Sequence, residues 1–102
     1  MSLLRFEEFK ALGRRGSAAD VDRLMAELAG EHDLATNKLV DYALSLVTTL
    51  EGRQRLEHYL FNGEILIQRN FAALYFRRLG RDALVARAHR LGRIDDIQAF
   101  AE

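Results

Sequence analysis

Ile65–Leu79, with the sequence ILIQRNFAALYFRRL, is the most apolar and most aromatic stretch of the chain. As a helix it is apolar on more than one side, which is typical of a helix buried in a protein interior. The stretch is too short to span a bilayer, and Gln68, Arg69 and Asn70 interrupt it, so we expect no membrane partner. We therefore predict a central helix over about residues 64–79, around which the other helices pack.

Length and composition indicate one all-α domain over residues 1–102. About half of the residues are apolar, and charged residues are near the average for globular proteins, which argues against disorder. Cysteine is absent, which excludes disulfides and thiolate sites and fits a reducing compartment. Arg5, Glu7, Glu8 and Lys10 interrupt the N-terminal segment, so it does not resemble a signal peptide. We expect a soluble, cytoplasmic protein.

Glycines are expected to mark the helix ends, because glycine readily adopts the left-handed conformation found just past a helix. The seven are Gly13, Gly16, Gly30, Gly52, Gly63, Gly80 and Gly92. They divide the chain into six or seven short helices in antiparallel hairpins. The predicted helices span residues 3–12, Ser17 to Gly30, about Leu34 or Asn37 to Leu50, 53–61, 64–79 and Asp82 to Gly92, and Asp95-Asp96 begins a last one with Ile97 and Phe100.

The second helix has the clearest start. Ser17 is predicted to be its N-cap, with Asp20 three residues later in an arrangement like a capping box. We expect Asp20, Arg23 and Glu27 to face water.

Gly52 and Asp82 determine the predicted limits of two later helices. Gly52 either kinks or ends the third helix, and we favour an end, since glycine costs about 1 kcal/mol inside a helix. Asp82 is expected to cap the sixth helix, with Leu84, Ala88 and Leu91 on its packed side.

One short motif recurs near the C-terminus. Arg-Leu-Gly-Arg occupies residues 78–81 and again 90–93, with a weaker third copy at residues 11–14. Short helices joined by tight glycine turns resemble the paired-helix modules of HEAT-type repeat proteins, over about the last forty residues. The resemblance implies a stack of helical hairpins and a protein-binding surface.

Charge is balanced overall but unevenly distributed. Residues 1–51 contain six basic and nine acidic side chains, and residues 52–102 contain nine and six. Between Arg69 and Arg93 there are seven arginines and one acidic residue, Asp82. This bias favours an anionic partner, or else reflects a solvated surface.

No catalytic, cofactor-binding or metal-binding residues are predicted. His32, His58 and His89 have none of the spacings of zinc or di-iron sites. The three serines lack the context of a nucleophile, and no glycine pattern matches a phosphate-binding loop.

Gln68-Arg69-Asn70 is the unusual polar feature of the central helix. One interpretation is a recognition site, in which Arg69 binds a carboxylate or phosphate. The other is structural, with Gln68 and Arg69 reaching solvent and Asn70 bonded to a neighbouring turn.

We hypothesise a non-enzymatic helical module, monomer or homodimer, that binds a protein partner. The alternative is a nucleic-acid-associated regulator that uses the arginine-rich segment 69–93. The residues predicted to contact a partner are Gln68, Arg69, Arg77, Arg81, Arg87 and Arg90.

Overall fold

The computed structural model describes residues 3–30 and 33–96, and these form six helices and no strand. The helices are α1 (Leu3–Arg15), α2 (Ala18–Ala29), α3 (Leu34–Ser45), α4 (Leu50–Asn62), α5 (Leu66–Arg78) and α6 (Asp82–Arg90). The all-α prediction is therefore confirmed. The expected seventh helix, with Ile97 and Phe100, lies outside the described residues.

The chain divides into two compact units, Met1–Leu56 and Glu57–Glu102, and the boundary falls within α4. In the first unit α1, α2 and α3 each pack against the other two. In the second unit the helix predicted to be central, α5, packs against α6. That residues 1–102 fold as one domain stays a prediction.

The core of the first unit consists of apolar side chains spaced at helical intervals, as the sequence pattern predicts. Its fully buried members include Val21, Leu24, Met25, Val40 and Leu44. Burying one such side chain stabilises the fold by about 1.5–3 kcal/mol relative to leaving it exposed.

The start of α2 has the predicted capping box. Ser17 accepts a hydrogen bond from the Asp20 backbone N–H, and the Asp20 carboxylate accepts one from the Ser17 backbone N–H. However, Asp20 is buried, so the expectation that it faces water is wrong. Its carboxylate accepts a hydrogen bond from Arg15 at 3.0 Å. Burial raises the pKa of Asp20, but the hydrogen bonds from Arg15 and Ser17 outweigh it, and the net pKa is lowered.

The third helix is shorter than predicted. Its N-cap is Asp33, whose carboxylate accepts from the Thr36 backbone N–H at 2.7 Å, and this bond lowers the pKa of Asp33. The helix ends at Ser45 rather than Leu50. Residues 47–49 lie outside the helix, because the Thr49 hydroxyl caps the backbone at the start of α4. It accepts a hydrogen bond from the Gly52 N–H at 2.9 Å.

Two glycines predicted to end helices lie inside them instead. Gly13 is within α1, which continues to Arg15 rather than stopping at residue 12, and Gly52 is within α4. A Cβ at Gly13 would lie 2.0 Å from the Ala43 carbonyl oxygen, and one at Gly52 would lie 2.3 Å from the Gly16 carbonyl oxygen. The prediction of helix ends at these positions is wrong. Each glycine instead lies where another segment of backbone comes too close for a side chain to fit.

The repeated Arg-Leu-Gly-Arg motif forms the same structure twice, the Schellman helix end. At the end of α5, the Arg81 N–H donates to the Phe76 oxygen at 2.9 Å, and Gly80 has φ +81°. At the end of α6, the Arg93 N–H donates to the Ala88 oxygen at 3.0 Å, and Gly92 has φ +72°. Glycine is required because the left-handed conformation is unfavourable for other residues.

The sixth helix ends before Gly92 as predicted, but it differs from its prediction at its N-cap and on its packed side. Its N-cap is Arg81, and Asp82 is the first helical residue, so the predicted Asp82 cap is wrong. Val85 and Ala88 are the buried residues of α6. Leu91, expected on the packed side, is 59 % exposed because the chain turns at that residue into the Schellman motif.

Candidate partner-binding surface

The residues predicted to bind a partner occupy two environments in the second unit. Gln68 is 7 % exposed, and Arg69 and Arg77 are half-buried. The remaining three, on and beside α6, are exposed: Arg81, Arg87 and Arg90. The set of residues predicted to bind a partner therefore combines interior residues with surface residues.

Arg69 is bonded to the backbone on both sides of the α5–α6 hairpin. Its Nε donates to the Arg93 carbonyl oxygen at 2.5 Å, and its Nη1 donates to the Gly63 carbonyl oxygen at 2.8 Å. Burial, followed by the nearby positive charge of Arg93, lowers the pKa of Arg69. Arg69 thus holds the turn before α5 against the segment after α6.

Three further hydrogen bonds complete this arrangement. The Arg93 Nε donates to the Phe61 carbonyl oxygen at 2.7 Å. The Asn70 Nδ2 donates to Asp95 Oδ2 at 2.8 Å, and the Asp95 N–H donates back to Asn70 Oδ1 at 3.2 Å. We call Arg69, Asn70, Arg93 and Asp95 the polar cluster. Asn70 bonds a neighbouring segment, as the structural interpretation expects, whereas Gln68 is buried and does not reach solvent as that interpretation supposed.

Two of the exposed arginines near α6 lie over aromatic rings. The guanidinium of Arg87 lies 5.3 Å from the ring centroid of Phe61, and that of Arg81 lies 6.0 Å from the ring centroid of Phe76. A guanidinium is attracted to the face of an aromatic ring, and the contact restricts the long side chain to fewer conformations. Within the described residues, neither Arg87 nor Arg90 makes an ion pair.

Exposed leucines accompany these arginines. Leu79 is 41 % exposed and Leu91 is 59 % exposed, and each is the C-cap of its helix. The outward side of α6 therefore combines positive charge with apolar surface. We call Arg87, Arg90 and Leu91 the α6 surface; since they are three and four residues apart, they are neighbours on one side of the helix.

The described part of the chain contains no group of three or more metal-ligating side chains. His89 contacts the carboxylate of Asp96, a pairing of one imidazole with one acid. Among the helices in residues 3–30 and 33–96, none has the length and apolar character needed to cross a membrane.

Comparison of the chain with models of protein families, with curated protein sequences and with solved structures finds no match. The resemblance to HEAT-type modules stays a prediction.

Sequence reasoning missed the partners of the predicted residues. The sequence pattern does not indicate that the ring of Phe61 lies beneath Arg87 or that its carbonyl oxygen accepts from Arg93. Leu91 was assigned to a packed stripe, yet it is exposed. The repeated Arg-Leu-Gly-Arg motif could have indicated the exposure of Leu91, because the leucine before the glycine of a Schellman motif lies at the end of its helix.

Proposed function

We propose that this protein is a non-enzymatic helical module that binds a protein partner through the α6 surface. The proposal is carried by the exposure of Leu91 beside the exposed Arg87 and Arg90. Arginine is enriched in protein interfaces, and interface centres are more apolar than the remaining surface. A single exposed leucine is common on proteins. Its position beside two exposed arginines on one helix distinguishes this surface.

The construction of α6 supports the same proposal. Val85 and Ala88 are buried, which fixes the inward side of the helix. Ala83, Arg87 and Arg90 are exposed on the other side. Since a helix presents residues three and four apart on one side, these three form a continuous strip that a partner could cover. The predicted resemblance of the C-terminal segment to HEAT-type modules would imply such a role.

Site-specific photo-cross-linking in the native cell tests the proposal. A photoreactive phenylalanine analogue would replace Ala83 or Leu91, and the control would carry it at Ala35, an exposed position of α3. We expect both α6 positions to capture the same protein, or a second copy of this chain, and the control not to capture it. Failure to capture any protein from α6, or equal capture of the same protein from Ala35, would contradict the proposal.

The alternative function is binding of nucleic acid by the arginine-rich segment 69–93. The observation in its favour is the charge of the segment, seven arginines to one acidic residue. Arg69 and Arg93 donate to backbone carbonyls, which leaves five arginines outside the polar cluster. Phosphate contacts by five arginines would give a slope of log affinity against log salt of about −4.5 for duplex DNA. No binding at low salt would exclude this alternative.

A further inference from the structure

We infer that the α6 surface binds an acidic protein segment in which carboxylates flank an apolar residue. This inference rests on the proposed function and specifies the chemistry of its partner. The carboxylates would pair with Arg87 and Arg90, and the apolar residue would contact Leu91.

The spacing on α6 suits such a segment. Arg87 and Arg90 are about one helical turn apart, roughly 5 Å along the axis. Leu91 is four residues beyond Arg87 and therefore on the same side of the helix. A partner that presents two carboxylates about one turn apart, with an apolar side chain beside them, would match all three positions.

The ring beneath Arg87 favours a carboxylate ligand. A guanidinium is planar, and one that lies over an aromatic face still presents N–H groups at its edge that can donate two parallel hydrogen bonds to a carboxylate. The contact with Phe61 at 5.3 Å also limits the conformations of Arg87 before binding. Less conformational freedom is then lost when the partner binds.

The local charge selects an acidic partner. Within α6 the sole carboxylate is that of Asp82, at the opposite end of the helix from Arg90 and Leu91. Beyond the helix, the Asp96 carboxylate contacts His89 and the Asp95 carboxylate accepts from Asn70, so both already have partners. Neither Arg87 nor Arg90 has an ion-pair partner within the residues described. A basic surface meets an acidic one with a faster association rate and excludes basic competitors.

The aromatic rings of the second unit favour a protein over a single-stranded nucleic acid. Binding of single strands depends on open aromatic faces on which bases stack. Tyr75 and Phe76 are buried, and the other three rings among the described residues, those of Tyr59, Phe61 and Phe71, are half-buried, with Arg87 over the ring of Phe61. The exposed Leu91 instead offers a contact for an apolar side chain.

Fluorescence anisotropy with the full chain tests the inference directly. The probes are a labelled peptide in which glutamates flank leucine, the same peptide with glutamine for every glutamate, and a labelled single-stranded DNA. We expect the glutamate peptide to bind more tightly than either of the others. Arg87→Ala should weaken it by roughly tenfold, the loss of one charge-assisted hydrogen-bonded pair. Arg14→Ala removes the same charge from an exposed position of α1 and should leave the affinity unchanged.

Two further variants test the role of the stacked guanidinium. Arg87→Lys keeps the charge but loses the planar fork, and Phe61→Leu removes the ring while keeping Arg87. We expect both to weaken binding of the glutamate peptide by several-fold, with far-UV circular dichroism confirming that Phe61→Leu remains folded. If Arg87→Lys binds the peptide as tightly as the wild type, the inference is wrong, whether or not Phe61→Leu folds.

The outcomes separate this inference from the proposed function. Capture of a protein from Ala83 and Leu91 without binding of the glutamate peptide overturns the partner chemistry and leaves the interaction module in place. Binding of the peptide that is lost in Arg87→Ala but kept in Arg14→Ala supports the chemistry, and failure of cross-linking would then count against the cellular role alone. Tighter binding of the DNA than of the peptide overturns the inference.

Discussion

Gly13→Ala is expected to destabilise the protein, although it replaces a glycine inside a helix. In an unhindered helix this replacement stabilises by about 1 kcal/mol. In α1, however, the new Cβ would lie 2.0 Å from the carbonyl oxygen of Ala43 and 2.8 Å from its carbonyl carbon. Real Cβ contacts shorter than 3.0 Å are essentially never seen. Because the obstacle is the backbone of α3, it cannot rotate away as a side chain could.

The cost follows from the separation that the two helices need. Moving them apart by about 1 Å forfeits up to half of the dispersion energy between facing atoms. Overpacking of this kind costs about 3 kcal/mol. After the gain in helix propensity of about 1 kcal/mol is subtracted, the free energy of unfolding should fall by about 2 kcal/mol.

Urea unfolding followed by far-UV circular dichroism measures this loss. Gly30→Ala, at the C-cap of α2, is the control, since among residues 3–30 and 33–96 no contact within 4 Å of a Cβ is found at that position. The control should change the free energy of unfolding by no more than about 0.5 kcal/mol. A Gly13→Ala protein as stable as the wild type would refute the close approach of α1 and α3. An equal loss in both variants would instead indicate an effect unrelated to that contact.

Three further changes test other contacts. Gly52→Ala places a Cβ 2.3 Å from a backbone carbonyl oxygen and should lower the free energy of unfolding by about 1–2 kcal/mol in the same urea assay; a gain would contradict the structure. Folding lowers the pKa of Asp20 from its ordinary value of 3.8. The ionised carboxylate therefore stabilises the fold fully above pH 3.8, and this stabilisation is lost as the pH falls below 3.8. Asp20→Asn should therefore reduce the loss of stability on acidification, measured by urea unfolding across that range, and an unchanged acid dependence would contradict the assignment. Arg69→Ala leaves two backbone carbonyls without their charged donor and should lower the free energy of unfolding by about 2 kcal/mol, measured by thermal unfolding. The control Arg90→Ala should lower it by less than about 0.5 kcal/mol. Equal effects of the two variants would show that the polar cluster is not stabilising.

The helical class and several helix limits follow from local sequence. Ser17 and Asp20 form their capping box from residues only three positions apart, and the glycine after Asn62 follows the end of α4. Gly80 ends α5 through hydrogen bonds among residues 76–81. Such features are predictable because all participating groups are close in the sequence.

The roles of Gly13 and Gly52 depend on residues far away in the chain. Gly13 contacts Ala43, thirty positions later, and Gly52 contacts Gly16. A glycine that ends a helix and a glycine that admits a neighbouring backbone have the same local sequence pattern. Tertiary packing decides between them, and it outweighs the penalty of about 1 kcal/mol for glycine in a helix.

The polar cluster could not be predicted from the sequence for a related reason. Arg69 and Arg93 donate to backbone carbonyl oxygens, and every residue carries such an acceptor, so no residue type marks the partner. The sequence showed that Gln68-Arg69-Asn70 was unusual within an apolar helix. It did not show that the segment after α6 would return to meet it.

The division of the arginines changes how the charge of segment 69–93 should be interpreted. A count from the sequence treats all seven arginines as equally available to an anionic partner. In the structure, Arg69 and Arg93 are half-buried and hold turns together, and Arg77 is also half-buried. Arg78 and Arg81 are exposed near the end of α5, and Arg87 and Arg90 are exposed on one side of α6. The positive charge offered to a partner is therefore smaller than the count and more directional. A directional pair of guanidiniums beside an exposed leucine suits a partner with fixed carboxylates better than one with uniform charge.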